Sequence, residues 1–501
     1  MSQQLLIGVD IGTQGTKAAV FDANGATVAT AFVKSRLHRP AADAVEEDPE
    51  RQVASVCSVI RQCVRTSGLA PSGVAAIGID GQMAGLIGVG RDGRAVTPYD
   101  SWLDTRCAPY ITRMQRAAGD EIIAKTGGPP SFNHGPKILR WKQEFPRVYR
   151  TIHAFVQPGG YAVMRLCGLN GDEAFIDKTY LHFSGFADNP HGRWDGELCR
   201  RFGVARGKLP RIVDPQAVVG ALTAGMARRC GLPAGVRLVA GCGDTAASFL
   251  ACGATREGIC VDVAGTASVF ASTTKEFRAD TRYRTLGWGQ AATPGLWHPY
   301  AYINGGGMNL EWFRAELGGG RRFEELNRLA AAVPPAADLP LFIPHLAGRV
   351  SPAWPDLRGA WAGVTWTHKI GELYRAVLEG VALEYGIYKE VLRSLDPRLR
   401  LREVRITGGG EKSAAWNAIK ADVLGCRVVQ IARGEGAPLG AALVAGFGAG
   451  LFRSLDEAAG RWIRTGRVTR PNHRMGAYYA GRVRRYRRLL DSLNAWSQES
   501  D

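Results

Sequence analysis

The chain alternates short apolar runs with longer stretches in which apolar residues recur at helical spacing. Residues 5–7 and 74–79, and residues 237–240 after their initial arginine, are apolar runs of the length that buried strands have. Between the first two, valines and isoleucines recur at helical intervals over residues 49–69, and Gly68 marks the end of that stretch. Strands that alternate with helices predict an α/β fold.

The second half shows the same alternation. Strands are predicted at 403–407 and 427–431, and the helix between them begins behind Ser413. An amphipathic pattern over 368–395 predicts a long helix. Residues 155–204, by contrast, are rich in glycine, aspartate, histidine and aromatic side chains without a regular period, which predicts an irregular insertion that covers a substrate.

The first polar interruption, residues 8–17, reads Gly-Val-Asp-Ile-Gly-Thr-Gln-Gly-Thr-Lys between two apolar runs. We interpret it as a hairpin loop whose glycines let backbone N–H groups converge, and whose Thr13 and Lys17 can meet anionic oxygens. Asp10 adds a carboxylate that can hold a metal ion through water. A Walker loop, which precedes a helix, is a different motif. The alternative is a glycine-rich hairpin whose polar side chains satisfy their own backbone.

A second stretch of the same design lies at residues 258–270. There Val261-Asp262-Val263 leads into Gly265 and Thr266, in the order strand, glycine and threonine loop, strand. We interpret the two stretches as an internal repeat. Two related halves, each presenting such a loop, would clasp a triphosphate between them.

Asp244 follows a predicted strand and a glycine turn, and it precedes a helix of small residues. In open α/β sheets, ligands bind at this carboxyl edge of the strands. A carboxylate at that place is a candidate catalytic group. The alternative is that Asp244 only caps the helix.

Trp102, Asp104 and Arg106 alternate along the chain, and in an extended segment they would share one face. An apolar plate, a hydroxyl acceptor and a fork of N–H donors together suit a small polyhydroxylated ligand. The alternative is a surface Asp–Arg pair beside a packed tryptophan.

Composition narrows the class of protein. The chain has 501 residues, 46% of them hydrophobic, which exceeds one core and predicts two or three domains. No apolar run reaches the ~18 residues of a membrane span, and no cleavable signal pattern is found, so we expect a cytoplasmic protein without membrane contact. The ten cysteines lack a Cys-x-x-Cys pair and the nine histidines lack a zinc motif, which predicts reduced core thiols.

The formal charge of +17 favours anionic ligands such as a nucleotide. Its densest cluster, residues 482–488, is interpreted as the solvated face of a terminal helix. Nucleic-acid binding is an alternative raised only by this charge, since the chain contains no recognition module, and we expect no nucleic-acid partner.

Taken in order, the motifs resemble the FGGY family of carbohydrate kinases, and within it the D-xylulose kinases. The motifs that carry the resemblance are Gly8-Val9-Asp10-Ile11-Gly12-Thr13, Gly81-Gln82-Met83, Trp102-x-Asp104-x-Arg106, Gly241-Cys242-Gly243-Asp244, Gly265-Thr266-Ala267-Ser268, Thr407-Gly408-Gly409-Gly410 and Gly436-Ala437-Pro438-Leu439-Gly440-Ala441-Ala442. The resemblance implies two actin-like, ribonuclease-H-like α/β domains, expected at 1–248 and 249–501, on either side of a deep cleft.

The resemblance also implies ATP and Mg²⁺ as cofactors and assigns roles to residues. It implies a catalytic base at Asp244, a metal ligand at Asp10, nucleotide contacts at Gly12, Thr13, Gln14, Lys17, Gly265, Thr266, Gly307, Gly409, Gly410 and Asn417, and sugar contacts at Gln82, Met83, Trp102, Asp104, Arg106 and Asp244. The implied reaction is transfer of the γ-phosphate of ATP to a hydroxyl of a ketopentose, with D-xylulose giving D-xylulose 5-phosphate.

Three departures from the D-xylulose kinase pattern concern the acceptor. Ala84 stands where those kinases usually have histidine, Thr245 where they have asparagine, and Gly159-Gly160 where a polar pair is common. A kinase of another ketose or of a polyol therefore stays open, as does an actin-like ATPase without a sugar. The oligomeric state is also open, with a homodimer among the alternatives.

Overall fold

The computed structural model describes residues 4–336 and 338–499. Within these residues, two seven-stranded mixed sheets form the centres of the two halves of the chain. The helices and several short strands lie outside these two sheets.

The elements of the first half are the following. Its strands are β1 (Leu5–Ile11), β2 (Gly15–Phe21), β3 (Thr27–Lys34), β4 (Glu46–Glu47), β5 (Val74–Gly81), β6 (Ile87–Val89), β7 (Tyr99–Asp100), β8 (Ala154–Val156), β9 (Phe175–Asp177), β10 (Ala187–Asp188), β11 (Arg193–Trp194), β12 (Arg211–Val213), β13 (Val218–Ala221), β14 (Arg237–Val239) and β15 (Cys242–Gly243). Its helices are α1 (Pro49–Ser67), α2 (Ala108–Thr126), α3 (His134–Glu144), α4 (Pro146–Thr151), α5 (Pro158–Cys167), α6 (Gly196–Phe202), α7 (Ala224–Cys230) and α8 (Asp244–Ala251).

The second half continues the numbering. Its strands are β16 (Ile259–Ala264), β17 (Ser268–Ala271), β18 (Gly287–Gln290), β19 (Trp297–Ile303), β20 (Leu341–Ile343), β21 (Ala360–Ala362), β22 (Glu403–Thr407), β23 (Arg427–Arg433) and β24 (Arg464–Thr469). Its helices are α9 (Gly306–Trp312), α10 (Phe323–Ala332), α11 (Ile370–Leu395), α12 (Ala414–Leu424), α13 (Ala437–Gly448), α14 (Leu455–Trp462) and α15 (Gly476–Gln498).

The two sheets share a topology. The first has the order β13-β14-β5-β1-β2-β3, with β15 beside β5, and the second has the order β18-β19-β17-β16-β22-β23-β24. In each, a hairpin (β1–β2, β16–β17) is antiparallel, and its first strand pairs in parallel with a later strand (β5, β22). The predicted repeat is therefore visible in the strand pairing.

The repeat contains a one-residue offset. Asp10 lies two residues before Gly12, whereas Asp262 lies three before Gly265. Because side chains alternate across a strand, this offset turns Asp262 to the opposite face. Asp262 is fully buried, forms an ion pair with Lys420 and accepts a hydrogen bond from the Tyr385 hydroxyl at 2.8 Å.

Asp10 instead corresponds to Val263 when the loops are matched. Asp10 pairs with Asp80 across β1 and β5, and Val263 pairs with Thr407 across β16 and β22. The first half thus carries two acids at the strand ends where the second half carries none.

Helix α13 of the second half packs against β1, β5 and α8 of the first. A Cβ built on Gly8 would lie 1.7 Å from the Pro438 carbonyl oxygen, and one on Gly78 would lie 2.1 Å from that of Ala441. These contacts need glycine because the helix backbone rests directly on the strands. One apolar cluster therefore contains side chains of both halves. The expected boundary between 248 and 249 falls inside α8.

The predicted irregular insertion at 155–204 is wrong. The segment contains α5, α6 and short strands, and Phe186 and Trp194 lie in a buried cluster. Several of the polar and glycine residues that hide the helical pattern in this segment lie at helix ends. Gly168 ends α5 in the left-handed conformation, and Asp195 caps α6.

Residues 134–151 form two helices, α3 and α4, because Phe145, which precedes Pro146, leaves the helical region. One further expectation needs correction. In the terminal helix, Arg482 is buried and donates to the carbonyls of Leu339 and Pro340, so it does not belong to a solvated face. Among the described residues, no helix is long and apolar enough to cross a membrane.

Candidate active site

Three aspartates converge at the carboxyl edge of the first sheet. Asp10 is the penultimate residue of β1 and faces Asp80 of β5 in register. The next neighbour of Asp80 is Cys242 of β15, and α8 begins with Asp244 directly after that strand. The charges of Asp10 and Asp244 both act on Asp80, which shows that the three carboxylates form one group.

Asp244 does not cap its helix. Gly243 holds the N-cap position, and Asp244 is the first helical residue. Its carboxylate accepts a hydrogen bond from the Thr245 hydroxyl at 3.1 Å. Burial, followed by the charge of Asp10, raises the pKa of Asp244 to about 7. A carboxyl group with such a pKa can both take up and release a proton near neutral pH.

Asp10 and Asp80 provide oxygens that suit a hard cation. Burial raises the pKa of Asp10 and, together with the nearby carboxylates, holds that of Asp80 well above its usual range. Oδ1 of Asp10 and both oxygens of Asp80 are buried without an N–H or hydroxyl donor among the described residues. Carboxylate oxygens are the ligands that Mg²⁺ prefers, so the site fits the implied metal.

The loop between β1 and β2, called here the first phosphate loop after its predicted role, is a tight turn. In it the Gly12 N–H donates to the Gly15 carbonyl at 3.1 Å. Gln14 is exposed at its tip, and Thr13 is half-buried. The Lys17 ammonium extends across to Glu435 of the second half, 2.9 Å from its Oε2.

The second loop is tied to the start of α9. The Gly307 N–H donates to the Gly265 carbonyl at 2.8 Å, and the Met308 N–H donates to the Thr266 carbonyl at 3.0 Å. Thr266 itself is exposed. The structure thus brings Gly265, Thr266 and Gly307 together.

Three of the expected nucleotide contacts, Gly409, Gly410 and Asn417, lie beyond the end of β22. Gly409 is exposed and Gly410 half-buried. Asn417 lies beneath them, fully buried, and its amide donates to the Glu411 carbonyl at 2.8 Å. Asn417 therefore fastens the turn that carries Gly409 and Gly410.

Trp102, Gln82 and Met83 lie beside the first phosphate loop and the strand end that precedes Asp244. The Trp102 indole N–H donates to the Thr13 hydroxyl of that loop at 2.8 Å. The Met83 sulfur lies against Gly243, where a Cβ would be 1.7 Å away. Gln82 is buried and donates to Glu47 at 3.3 Å.

Comparison with known proteins decides the family. The model of the N-terminal domain of the FGGY family of carbohydrate kinases matches residues 5–251, and that of the C-terminal domain matches residues 260–449. The chain belongs to the FGGY family of carbohydrate kinases. The expected α/β fold of two actin-like, ribonuclease-H-like domains is confirmed.

Three relatives illustrate the range of this kinase family. A xylulose kinase of Bacillus subtilis (strain 168) is 26% identical over 492 residues, covering 97% of this chain and 95% of the relative. A gluconokinase of the same strain is 25% identical over 469 residues, covering 91% and 89%. The crystal structure of xylulose kinase from Rhodospirillum rubrum has a TM-score of 0.90 at 26% identity and covers 99% of this chain and 100% of that chain. The protein is a carbohydrate kinase, and these relatives differ in their sugar.

Not all predicted sugar contacts of this FGGY kinase meet. Trp102, Leu103 and Arg106 lie in turns, so the segment is not the extended strand in which the three side chains would share one face. Trp102 is 40% exposed, but Asp104 is 1% exposed. Arg106 donates to Asp104 at 2.8 Å and to Glu46 at 2.6 Å.

The Arg106 guanidinium therefore lies within an internal cluster of acids. Burial alone would raise the pKa of Asp104, but hydrogen bonds from Arg106 and the Val45 N–H lower it overall. The cluster of Glu46, Asp100 and Asp104 has the spacing of a metal site, yet the guanidinium already supplies its positive charge.

Sequence reasoning missed several residues of this kinase site. Asp80 is the penultimate residue of its strand, as Asp10 is, which was an available signal. His134 and Tyr180 left none, because they come from distant segments. The His134 ring contacts the Met83 carbonyl through Nε2 at 2.7 Å, and the Tyr180 hydroxyl donates to the Gly81 carbonyl at 2.9 Å.

The second half also contributes to the wall beside Asp244. The Tyr300 hydroxyl lies 2.9 Å from His182 Nε2, and the charge of Asp244 helps to raise the pKa of Tyr300. Burial lowers the pKa of His134 to about 4 and that of His182 to about 3. Both imidazoles are therefore neutral at pH 7.

Proposed function

We propose that this kinase transfers the γ-phosphate of ATP to a hydroxyl of a neutral ketopentose, with D-xylulose as the first candidate. The observation that carries the proposal is Asp244, which combines a pKa near 7 with a place close to Asp10 and directly after Gly243, against which the Met83 sulfur lies. Residues 1–248 would bind the sugar and residues 249–501 most of the nucleotide.

In this mechanism Asp244 accepts the proton of the attacking hydroxyl. The transition state of phosphoryl transfer is loose, so catalysis depends on positioning and on neutralising charge. The backbone N–H groups around Gly12 and Gly265, with the Thr13 hydroxyl and Lys17, would hold the phosphates. Asp10 would hold Mg²⁺, which when bound offsets phosphate charge.

The charges near Asp244 favour a neutral acceptor over an aldonate. The strongest charge acting on Asp244 is that of Asp10, and the two imidazoles nearby are neutral. Lys17, whose charge acts on Asp10, is paired with Glu435. These groups would therefore repel a carboxylate on the substrate and offer it no positive charge.

Ala84 favours a broader choice among neutral acceptors. Its methyl group, next to Met83, leaves out the ring donors that a histidine would supply. A kinase of another ketose or of a polyol is the alternative within the same chemistry.

The test is an ADP-release screen over pentuloses, polyols, glycerol and aldonates, with Asp244→Asn as the inactive control. We expect turnover with one or more neutral ketoses or polyols and background with aldonates. Hydrolysis of ATP that no sugar stimulates would instead support an actin-like ATPase, and a best rate on gluconate would refute the neutral acceptor.

A further inference from the structure

Asp80 is a buried carboxylate without a conventional partner. Its side chain is 0% exposed, and neither oxygen receives a hydrogen bond from an N–H or hydroxyl group among the described residues. Burying such a group without compensation is strongly unfavourable. A side chain kept in this state points to a ligand that the protein itself does not supply.

The side chain that Asp80 does contact is Asp10. Two carboxylates in contact repel each other unless a proton or a cation lies between them. Lys17 is the nearby side chain that could neutralise this pair, but its ammonium forms an ion pair with Glu435. Oδ1 of Asp10 is likewise buried and unpaired.

The backbone holds this acid pair rigidly. Asp10 and Asp80 are in register on adjacent parallel strands. The Tyr180 hydroxyl fixes the Gly81 carbonyl at 2.9 Å, and the backbone of Gly159 lies directly behind, where a Cβ on Gly81 would be 2.9 Å from its nitrogen. Movement apart, which would relieve the repulsion, is therefore opposed by packing.

The matching strands of the second half carry no pair of acids. Val263 and Thr407 occupy the strand positions that correspond to Asp10 and Asp80. Neither can bring a charge to the loop. The acid pair is thus not a requirement of the strand–loop–strand design.

We propose that Asp80 is a second carboxylate ligand of the divalent-cation site, so that Asp10 and Asp80 together hold the ion that accompanies the nucleotide. The inference rests on the proposed ATP site and extends it to a residue with no assigned role. Two carboxylates with free oxygens match the preference of Mg²⁺ and Mn²⁺ for hard ligands.

The test uses Mn²⁺, whose free form is counted by electron paramagnetic resonance, titrated into the full chain with ADP present. We expect Asp80→Asn and Asp10→Asn each to weaken Mn²⁺ binding by at least about 10-fold. Asp280→Asn is the matched control, since Asp280 is an equally buried aspartate that accepts three backbone hydrogen bonds in the second half. Binding by Asp80→Asn within about twofold of the wild type would overturn the proposal.

Thermal melting gives an independent reading, and Asp80→Ala serves if the asparagine variant folds poorly. Without metal, removing the repulsive pair should raise the melting temperature, and saturating Mn²⁺ should stabilise the wild type more than the variant. An equal Mn²⁺ shift in both would contradict the role. Neither measurement needs a sugar or turnover, so a failure of the proposed reaction would be distinguishable from a failure of this site.

Discussion

The Lys17 ammonium and the Glu435 carboxylate join the first phosphate loop to the second half of the chain, with Nζ 2.9 Å from Oε2 and 3.3 Å from the Glu435 carbonyl. Both side chains are partly exposed, 36% and 26%. The pair therefore spans the place where phosphates are expected. If Lys17 pairs with a phosphate, its ion pair with Glu435 is weakened, so the phosphate and Glu435 compete for the same ammonium.

This competition predicts that Glu435→Gln tightens nucleotide binding. Partly exposed ion pairs are worth at most about 1 kcal/mol, so the gain in affinity for an ATP analogue should be roughly 2–5-fold. Lys17→Met should weaken binding, and adding Glu435→Gln to it should then have no effect. Weaker binding by the Glu435→Gln variant in calorimetry would show that Glu435 supports the nucleotide directly.

Asp244→Asn tests the catalytic base. Asparagine keeps the size of the side chain but removes the proton acceptor, so kcat should fall by roughly 10²–10⁴. Melting temperature at pH 5 and ATP-analogue affinity should change little. A folded variant that keeps more than about a tenth of the wild-type kcat would exclude this role.

The raised pKa of Asp244 predicts a pH-dependent stability difference. The folded pKa is about 7 and the ordinary value is 3.8. Between these values the folded state holds a proton that the unfolded state releases, so the free energy of unfolding falls as pH rises. The destabilisation is complete above pH 7, at up to about 4 kcal/mol.

Asp244→Asn removes this titration. The variant should therefore gain melting temperature relative to the wild type as pH rises from 4 to 8. Paired melting curves at several pH values check this, and a constant difference would contradict it. In the wild type, kcat/KM should decline as pH falls below about 7, because the base becomes protonated.

Gly78→Ala tests the contact between the halves. The added methyl would lie 2.1 Å from the Ala441 carbonyl oxygen, so α13 or β5 must shift, at about 1–3 kcal/mol or more. Gly460→Ala is the matched control, because a Cβ there meets nothing within 4 Å and alanine favours the helix. Urea unfolding should separate the two variants, and equal midpoints would show that the crossing tolerates a side chain.

Much of the fold was predictable because its signals are local. Helix α1 is an example, since Asp48 caps it, Pro49 opens it and Gly68 closes it in the left-handed conformation. The position of Asp244 at the start of α8 was predictable for the same reason, as it directly follows a glycine turn at a strand end. The departures have a different origin, because they depend on partners far away in the chain.

Arg106 illustrates such a departure. Its spacing from Asp104 in the sequence suggested side chains free to bind a ligand. In the structure Glu46, from another segment, also pairs with Arg106 and completes an internal cluster. Residues 155–204 mislead because each element there is too short for its period to show. Such contacts form only when the tertiary structure brings the segments together.

The buried pair of Asp262 and Lys420 means that the two hairpins of this duplicated fold are no longer interchangeable. In the first half Oδ1 of Asp10 has no hydrogen-bond donor among the described residues, whereas in the second half Lys420 supplies an ammonium to Asp262 inside the core. The offset of the aspartate by one residue is therefore enough to make the two hairpins differ in charge at their loops. The loop of the second half offers hydroxyl and backbone groups alone, so a cation bound by the proposed acid pair would lie on the side of the first half only, which would give the pseudo-symmetric cleft a direction.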